Sequence, residues 1–347
     1  VNLLPGNSLP LEYVYNAPQI SPELFTLGSV ELESLGQTIY TEERSWQLAS
    51  DALCNVTGSG TLSTTATFSG CSGAGGKPGS ADDVTIAAGV TLTVDQALTI
   101  NTLTIAASGT ANGMAINSGV TVNVTGAITM NSPSAAVNST LAVGAGILNA
   151  ASIAIPGSAT ASRVAQVTIS TGTITTTGSI TFSGTAAQAR FISTGASVVT
   201  VGGNFGAGGT LTTTSTGTIK MNGSVAQTLG AYTTYNNIEI LNTSGGVSFT
   251  GASTLAGTLT ITTGNLTMGG FAVTVTGATS ISGTLTLSSA TGAKTFIGAV
   301  TINNGGIWTE SAAAIPTYRG GITNNGTFTA STGRSEEHTS ELQSPMF

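Results

Sequence analysis

From Val84 the chain alternates. In VTIAAGVTLTVDQALTINTLTI (84–105), Val, Ile or Leu is followed by Thr, Asn or Asp over and over. Alternation at period two is the signature of a strand with one buried face. The strands are short, four or five residues, and glycine punctuates them. The clearest repeat lies later, in GTLTITTGNLTMGGFAVTVTGATSISGTLTLSSATGAKTFIGAVTI (257–302). Gly257, Gly277 and Gly298 open the similar strands GTLTI, GATSI and GAVTI. GNLTM and GTLTL fall between them.

The interval between these glycines is a period of about 20 residues, and at that period such short strands stack as a solenoid. The prediction is an all-β fold, a parallel β-helix (β-solenoid) of about 20 residues per coil. Each coil holds about three strands, joined by turns of Gly, Ser, Thr or Asn. Coils stack at about 4.8 Å, so about 12 coils make a rod of roughly 60 Å. Inward Val, Ile and Leu form one continuous core, and outward Thr and Ser form ladders along the axis. An array of β-sandwiches is the alternative. Sandwiches use strands of five or six residues with turns every 8–12, whereas glycine here recurs every six or seven.

Residues 1–50 read differently. They hold four of the nine prolines and six glutamates, with Tyr13, Tyr15, Phe25, Tyr40 and Trp46. This short irregular segment is the end of an upstream module or a linker, or else a flexible arm on the next domain. Residues 51–83 form an N-terminal cap and turn region, 84–333 the solenoid, and 334–347 a separate tail. The chain opens at Val1, so a missing or processed N-terminus is expected.

Charge narrows the function classes. Charged residues are 7% of the chain, against about 25% in an ordinary soluble protein. Residues 96–333 hold two acids, Glu239 and Glu310, and five bases, Arg163, Arg190, Lys220, Lys294 and Arg319. Five bases over so long a stretch make no phosphate-tracking stripe, so no nucleic-acid partner is expected. No run of 18 apolar residues occurs, so no membrane insertion by a helix is expected. Hydrophobic residues make up 40% of the chain. That share is too high for a disordered tract.

The segment CSGAGGKPGSADDVTIAAGVTLTVDQALTINTLTI (71–105) resembles the opening of glycine-rich β-helix modules in large bacterial secreted or surface proteins. QTLGAYTTYNNIEILNTSGGVSFTG (227–251) resembles a block that recurs in them. The resemblance spans roughly residues 60–333. It implies a right-handed parallel β-helix of the filamentous-haemagglutinin, adhesin-like type, within the broader pectin-lyase-like group. For function it is weak.

The tail RSEEHTSELQSPMF (334–347) carries the only histidine, His338, and four charges besides. Back-translated, Arg334–Ser344 resembles the standard adaptor of short-read DNA libraries. The expectation is therefore an artefactual tail on a gene fragment read from environmental sequencing, with a natural chain that continues past Gly333. A genuine polar terminal peptide is the alternative.

Candidate chemistry is sparse. Without His338 there is no histidine for a triad or a zinc site. Carboxylate catalysis needs two acids within about 10 Å, and Glu239 and Glu310 would lie three or four coils apart, roughly 15 Å along the axis. β-Helix polysaccharide hydrolases and lyases carry clusters of Asp or calcium-binding acids, and this chain departs from that pattern. No catalytic, cofactor or metal residue is expected, and the chain is expected not to be an enzyme. Asp82, Asp83 and Asp95 could offer oxygens to calcium, but turn and strand-start roles are the better expectation. CSGAGGKPGS fails the phosphate-loop spacing and reads as a turn. Arg190 and Arg319 could grip a sugar acid or phosphate, or could be solvated surface. Cys54 and Cys71, the only cysteines, suit an extracellular disulfide. Closing that loop would contribute about 3 kcal/mol. Two separate buried thiols are the alternative.

The functional expectation is a non-enzymatic structural or adhesive shaft of a long bacterial protein, extracellular or at the cell surface. Its partners would be glycans or other surface proteins. The alternatives are a fragment of a polysaccharide-processing β-helix enzyme whose catalytic coils lie elsewhere, and a glycan-binding module. Trp308, Tyr232, Tyr235 and Tyr318 are too scattered in sequence to point to an aromatic sugar platform.

Overall fold

The computed structural model describes residues 23–27, 31–41, 46–50, 53–213 and 216–331. The tail with His338 lies outside them. The chain folds as a parallel β-solenoid of about 11 turns, with a mean spacing near 22 residues. Three faces wrap it. One coil runs through Asp83–Ile86 on the first face, Thr91–Val94 on the second and Leu98–Ile100 on the third. Thr102–Ile105 then returns to the first face, with Leu103 opposite Val84. Among the described residues the only helical segments are two single 3-10 turns, Ala74–Gly76 and Ala186–Gln188.

The alternation does what it predicts. In TLTI at Thr102–Ile105, Leu103 and Ile105 are buried while the threonines are half-exposed. Because coils stack in register, each inward residue sits on another. On the third face Leu148, Ile174, Val199, Ile219, Ile238 and Leu259 follow one another through six coils. All six are buried.

Gly257, Gly277 and Gly298 stack at one corner, and Gly277 N donates to Gly257 O at 2.9 Å. A Cβ on Gly277 would lie 2.6 Å from the carbonyl carbon of Gly257, and one on Gly298 would lie 2.8 Å from Ala278 N. The recurring glycine is thus required by close approach of stacked backbones.

The short period describes only part of the rod. On the third face offsets are short from Val199 onward, as in Ile219 to Ile238 and Thr279 to Val300. The coils from about 121 to 198 are longer: Leu148 meets Ile174 and Ile153 meets Ile180. There, long strands such as Thr121–Met130 and Ile147–Gly157 run through the corner between the third and first faces. At the change of coil size Phe205 is wholly buried and bridges Ile180 to Leu229. Its ring meets Phe182, Phe191, Tyr232 and Tyr235 edge-on, with centroids 5.8–6.3 Å apart. Edge-to-face rings are a favoured aromatic packing, and here they fill the step between two coil sizes.

The ladder starts earlier than Val84. Cys54 pairs with Val84 and Val56 with Ile86, in parallel. The region read as a cap therefore also supplies the first rung. Thr67–Ser69 then lies antiparallel on the outer edge of Cys54–Gly58. Upstream, Glu23–Leu27 pairs with Trp46–Ser50, and Glu31–Ser34 with Gln37–Thr41, both antiparallel.

Some inward positions are polar, and one of them has an unpartnered hydroxyl. Thr279 stands between Leu259 and Val300, is 1% exposed, and its hydroxyl has no partner. Removing a buried unsatisfied hydroxyl while keeping the shape is favourable. Thr279→Val should therefore stabilise the rod by about 1 kcal/mol in a urea titration. Gly277→Ala should destabilise it by about 1–3 kcal/mol through its clash with Gly257. Gly269→Ala, which meets open space, is the control and should change stability by less than about 0.5 kcal/mol.

Candidate functional site

Chemistry-bearing side chains gather most densely at the N-terminal end. Cys54 and Cys71 are joined, with sulfurs 1.96 Å and Cα atoms 4.3 Å apart. The bridge ties the first rung to the loop that follows Thr67–Ser69. Asp82 lies beside it, fully buried. Its carboxylate accepts Ser72 N at 2.9 Å, Ser72 Oγ at 2.6 Å and Gly79 N at 2.8 Å. Both sulfurs and the Asp82 oxygen lie within 4.8 Å of one another. Bridged sulfurs are not thiolates, so the group has the proximity of a metal site without its donors.

The other two candidate calcium ligands are also engaged. Asp83 Oδ1 accepts Asn101 Nδ2 at 2.8 Å and Thr102 Oγ1 at 2.7 Å, which fixes the third rung to the second. Asp95 accepts both the amide and the hydroxyl of Ser63 across the corner. These are turn and rung-closing roles, and the structure does not bring the three carboxylates to one point. In CSGAGGKPGS, Lys77 Nζ donates to Ser63 O at 2.8 Å and Gly73 N to Lys77 O, so the stretch is a closed turn.

Glu239 and Glu310 lie on different faces, in Asn237–Ile240 and Ile307–Glu310. More than three coils separate them, roughly 15 Å along the axis. Glu239 pairs with Lys220 of the preceding rung at 2.9 Å. Glu310 turns inward at the far end of the rod, accepting Trp308 Nε1 at 3.3 Å and Ser331 N at 3.1 Å. No acid–base pair results among the described residues. Arg190 donates from Nε to Ala187 O, and Arg319 is exposed.

Several polar residues escape a reading by composition. Lys294 occupies an inward position after Ser253 and Val273 and is 2% exposed. Its ammonium donates to Thr291 O and Gly292 O, and burial pulls its pKa down. Gln227 and Asn242 form a buried amide pair: Asn242 Nδ2 donates to Gln227 Oε1 at 2.8 Å, and Gln227 Nε2 donates to Val201 O. Burial holds the hydroxyls of Tyr232 and Tyr235 well above the ordinary tyrosine range. A signal existed for two of these. Gln227 in QTL and Lys294 in KTF stand where the period-two pattern calls for an apolar residue. No protein-family model matches the chain, and no curated protein or solved structure matches it either.

The Ser63 hydrogen bonds, above all the one from its hydroxyl, hold Asp95 below its ordinary value. A carboxyl depressed on folding contributes stability above its unfolded pKa, and that contribution is lost as pH falls through the folded value. Ser63→Ala should therefore raise the Asp95 pKa toward its ordinary value, read by carbon-detected NMR titration. It should also remove part of the loss of thermal stability below about pH 4. An unmoved Asp95 titration would refute the assignment.

Proposed function

We propose that the chain is a non-enzymatic shaft segment of a long bacterial protein, secreted or held at the cell surface. It acts by projecting outward and making many weak, uncharged contacts with glycans or other surface proteins. The observation that carries this reading is the state of the acids. Asp82, Asp83, Asp95 and Glu310 each accept hydrogen bonds that close a turn, a rung or the end of the rod, and Glu239 pairs with Lys220. Around them, the outward positions of the ladders are mostly Thr, Ser and Asn. The Cys54–Cys71 bridge supports an oxidising compartment. The rod has about 11 turns. At about 4.8 Å per coil it extends roughly 50 Å, which suits a spacer.

The test is an assay for new reducing ends on a panel of neutral and acidic polysaccharides. The chain should release none above background. Cells displaying it between an anchor and a terminal epitope should adhere to glycan-coated glass better than cells with a flexible linker of equal length. Release of reducing ends that disappears in Glu239→Gln or Glu310→Gln would overturn the reading in favour of an enzyme.

A further inference from the structure

The corner between the third and first faces carries a shallow groove of about 430 Å³, reaching from Thr99 to Thr177. It exists because Thr121–Met130 bends there. The register of that strand with Ile147–Gly157 shifts between Val124 and Ala127. Gly126 and Gly178 lie at the same corner, where a Cβ would come within 3.0 Å of Asn101 O and 2.8 Å of Ala151 O of the preceding coil.

One wall is a column of amides and a hydroxyl on successive coils. Asn149 Nδ2 donates to Asn123 Oδ1 at 2.8 Å, and Asn123 Nδ2 donates to Thr99 Oγ1 at 3.4 Å. The opposite wall is Thr125 and Ala151, two residues beyond Asn123 and Asn149, with Thr177 of the next rung. Internal bonding leaves much of this polar valence open. Each Asn amide keeps a second N–H, Asn149 keeps its carbonyl oxygen, and the hydroxyls keep lone pairs. No charged residue lines the groove. An ionic ligand would lose hydration here and gain no counter-charge, whereas a polyol would exchange water for amide and hydroxyl partners.

We infer that this groove binds a neutral, unbranched hexose oligosaccharide laid along the rod axis, about one sugar per coil. The coil rise of about 4.8 Å is close to the length one hexose adds to an extended chain. The lining spans four successive coils, so three or four sugars fit. The site rests on the glycan contacts of the proposed function and gives them one place, although a rod without this groove would still project.

Isothermal titration calorimetry and NMR on the whole chain test it. The probes are hexaoses of β-1,4-glucose, β-1,4-mannose and β-1,3-glucose, with hexagalacturonate as the acidic control. At least one neutral hexaose should saturate the protein and shift the side-chain amide signals of Asn123 and Asn149. Hexagalacturonate should not bind. Ala151→Leu, which fills the groove while leaving the amides in place, should weaken binding at least tenfold with an unchanged melting temperature. Asn123→Ala with Asn149→Ala should do the same to affinity, and Thr254→Ala on the second face should bind as wild type. The proposal falls if no neutral hexaose saturates up to its solubility, if hexagalacturonate binds equally well, or if Ala151→Leu leaves affinity intact. The reducing-end assay bears on the shaft reading alone, so either conclusion can fail without the other.

Discussion

Each interior coil of this protein hydrogen-bonds to the coil before it and the coil after it, and in-register stacking is the constraint from which the rest follows. A parallel ladder repeats the same position at about 4.8 Å. A residue that suits one coil must therefore suit its neighbours above and below. Leu148, Ile174 and Val199 satisfy this inside, as shape-matched aliphatic groups without polar atoms. At the corners the stacked backbones come too close for a side chain, so Gly277 sits on Gly257. The composition of the chain is this constraint written out coil after coil.

The same constraint explains where the chain departs from its own repeat. Stacking leaves an open edge at each end, and an open edge invites pairing with another chain. At the N-terminal end Thr67–Ser69 reverses direction and covers the edge of Cys54–Gly58, and the Cys54–Cys71 bridge holds the returning loop against it. Asp82 supports that loop from within by accepting three donors. Midway the coil shortens, from the step between Leu148 and Ile174 to the step between Ile219 and Ile238. A change in perimeter cannot be filled by an aliphatic column, and the rings around Phe205 occupy it. Aromatic rings and the disulfide thus collect where simple stacking fails.

Much of this was legible in the sequence. Alternation, glycine spacing and short strands carry the fold class and the repeat marked by Gly257, Gly277 and Gly298. What escaped was set by structure between coils. The long coils from 121 to 198 hide because their strands run through a corner, which blurs the glycine spacing that marks the later repeat. The first rung at Cys54 hides because CNVTGSGTL offers little alternation, and a loop from Leu62 to Asp82 separates it from the next rung. For the candidate sites, the turn roles of Asp82 and Asp83 follow from their place beside glycine and proline. The Asn123–Asn149 groove depends on partners a whole coil apart and on a bulge that no local pattern announces.

The poverty of charge has a structural cause as well. Like charges stacked on adjacent coils would sit about 4.8 Å apart and repel by about 0.9 kcal/mol even in water. That repulsion would recur at every coil. The stacked ionic pair on the rod, Lys220 above Glu239, is of opposite sign. Neutral Thr, Ser and Asn avoid the repulsion and add side-chain bonds along the axis, as Asn149 does to Asn123. Low charge therefore follows from building a long ladder, and by itself says nothing of a partner. What distinguishes one stretch of such a rod from another is local shape together with unused polar valence. The corner beside Asn123 and Asn149 has both, and that gives it more weight than the even coat of threonine elsewhere.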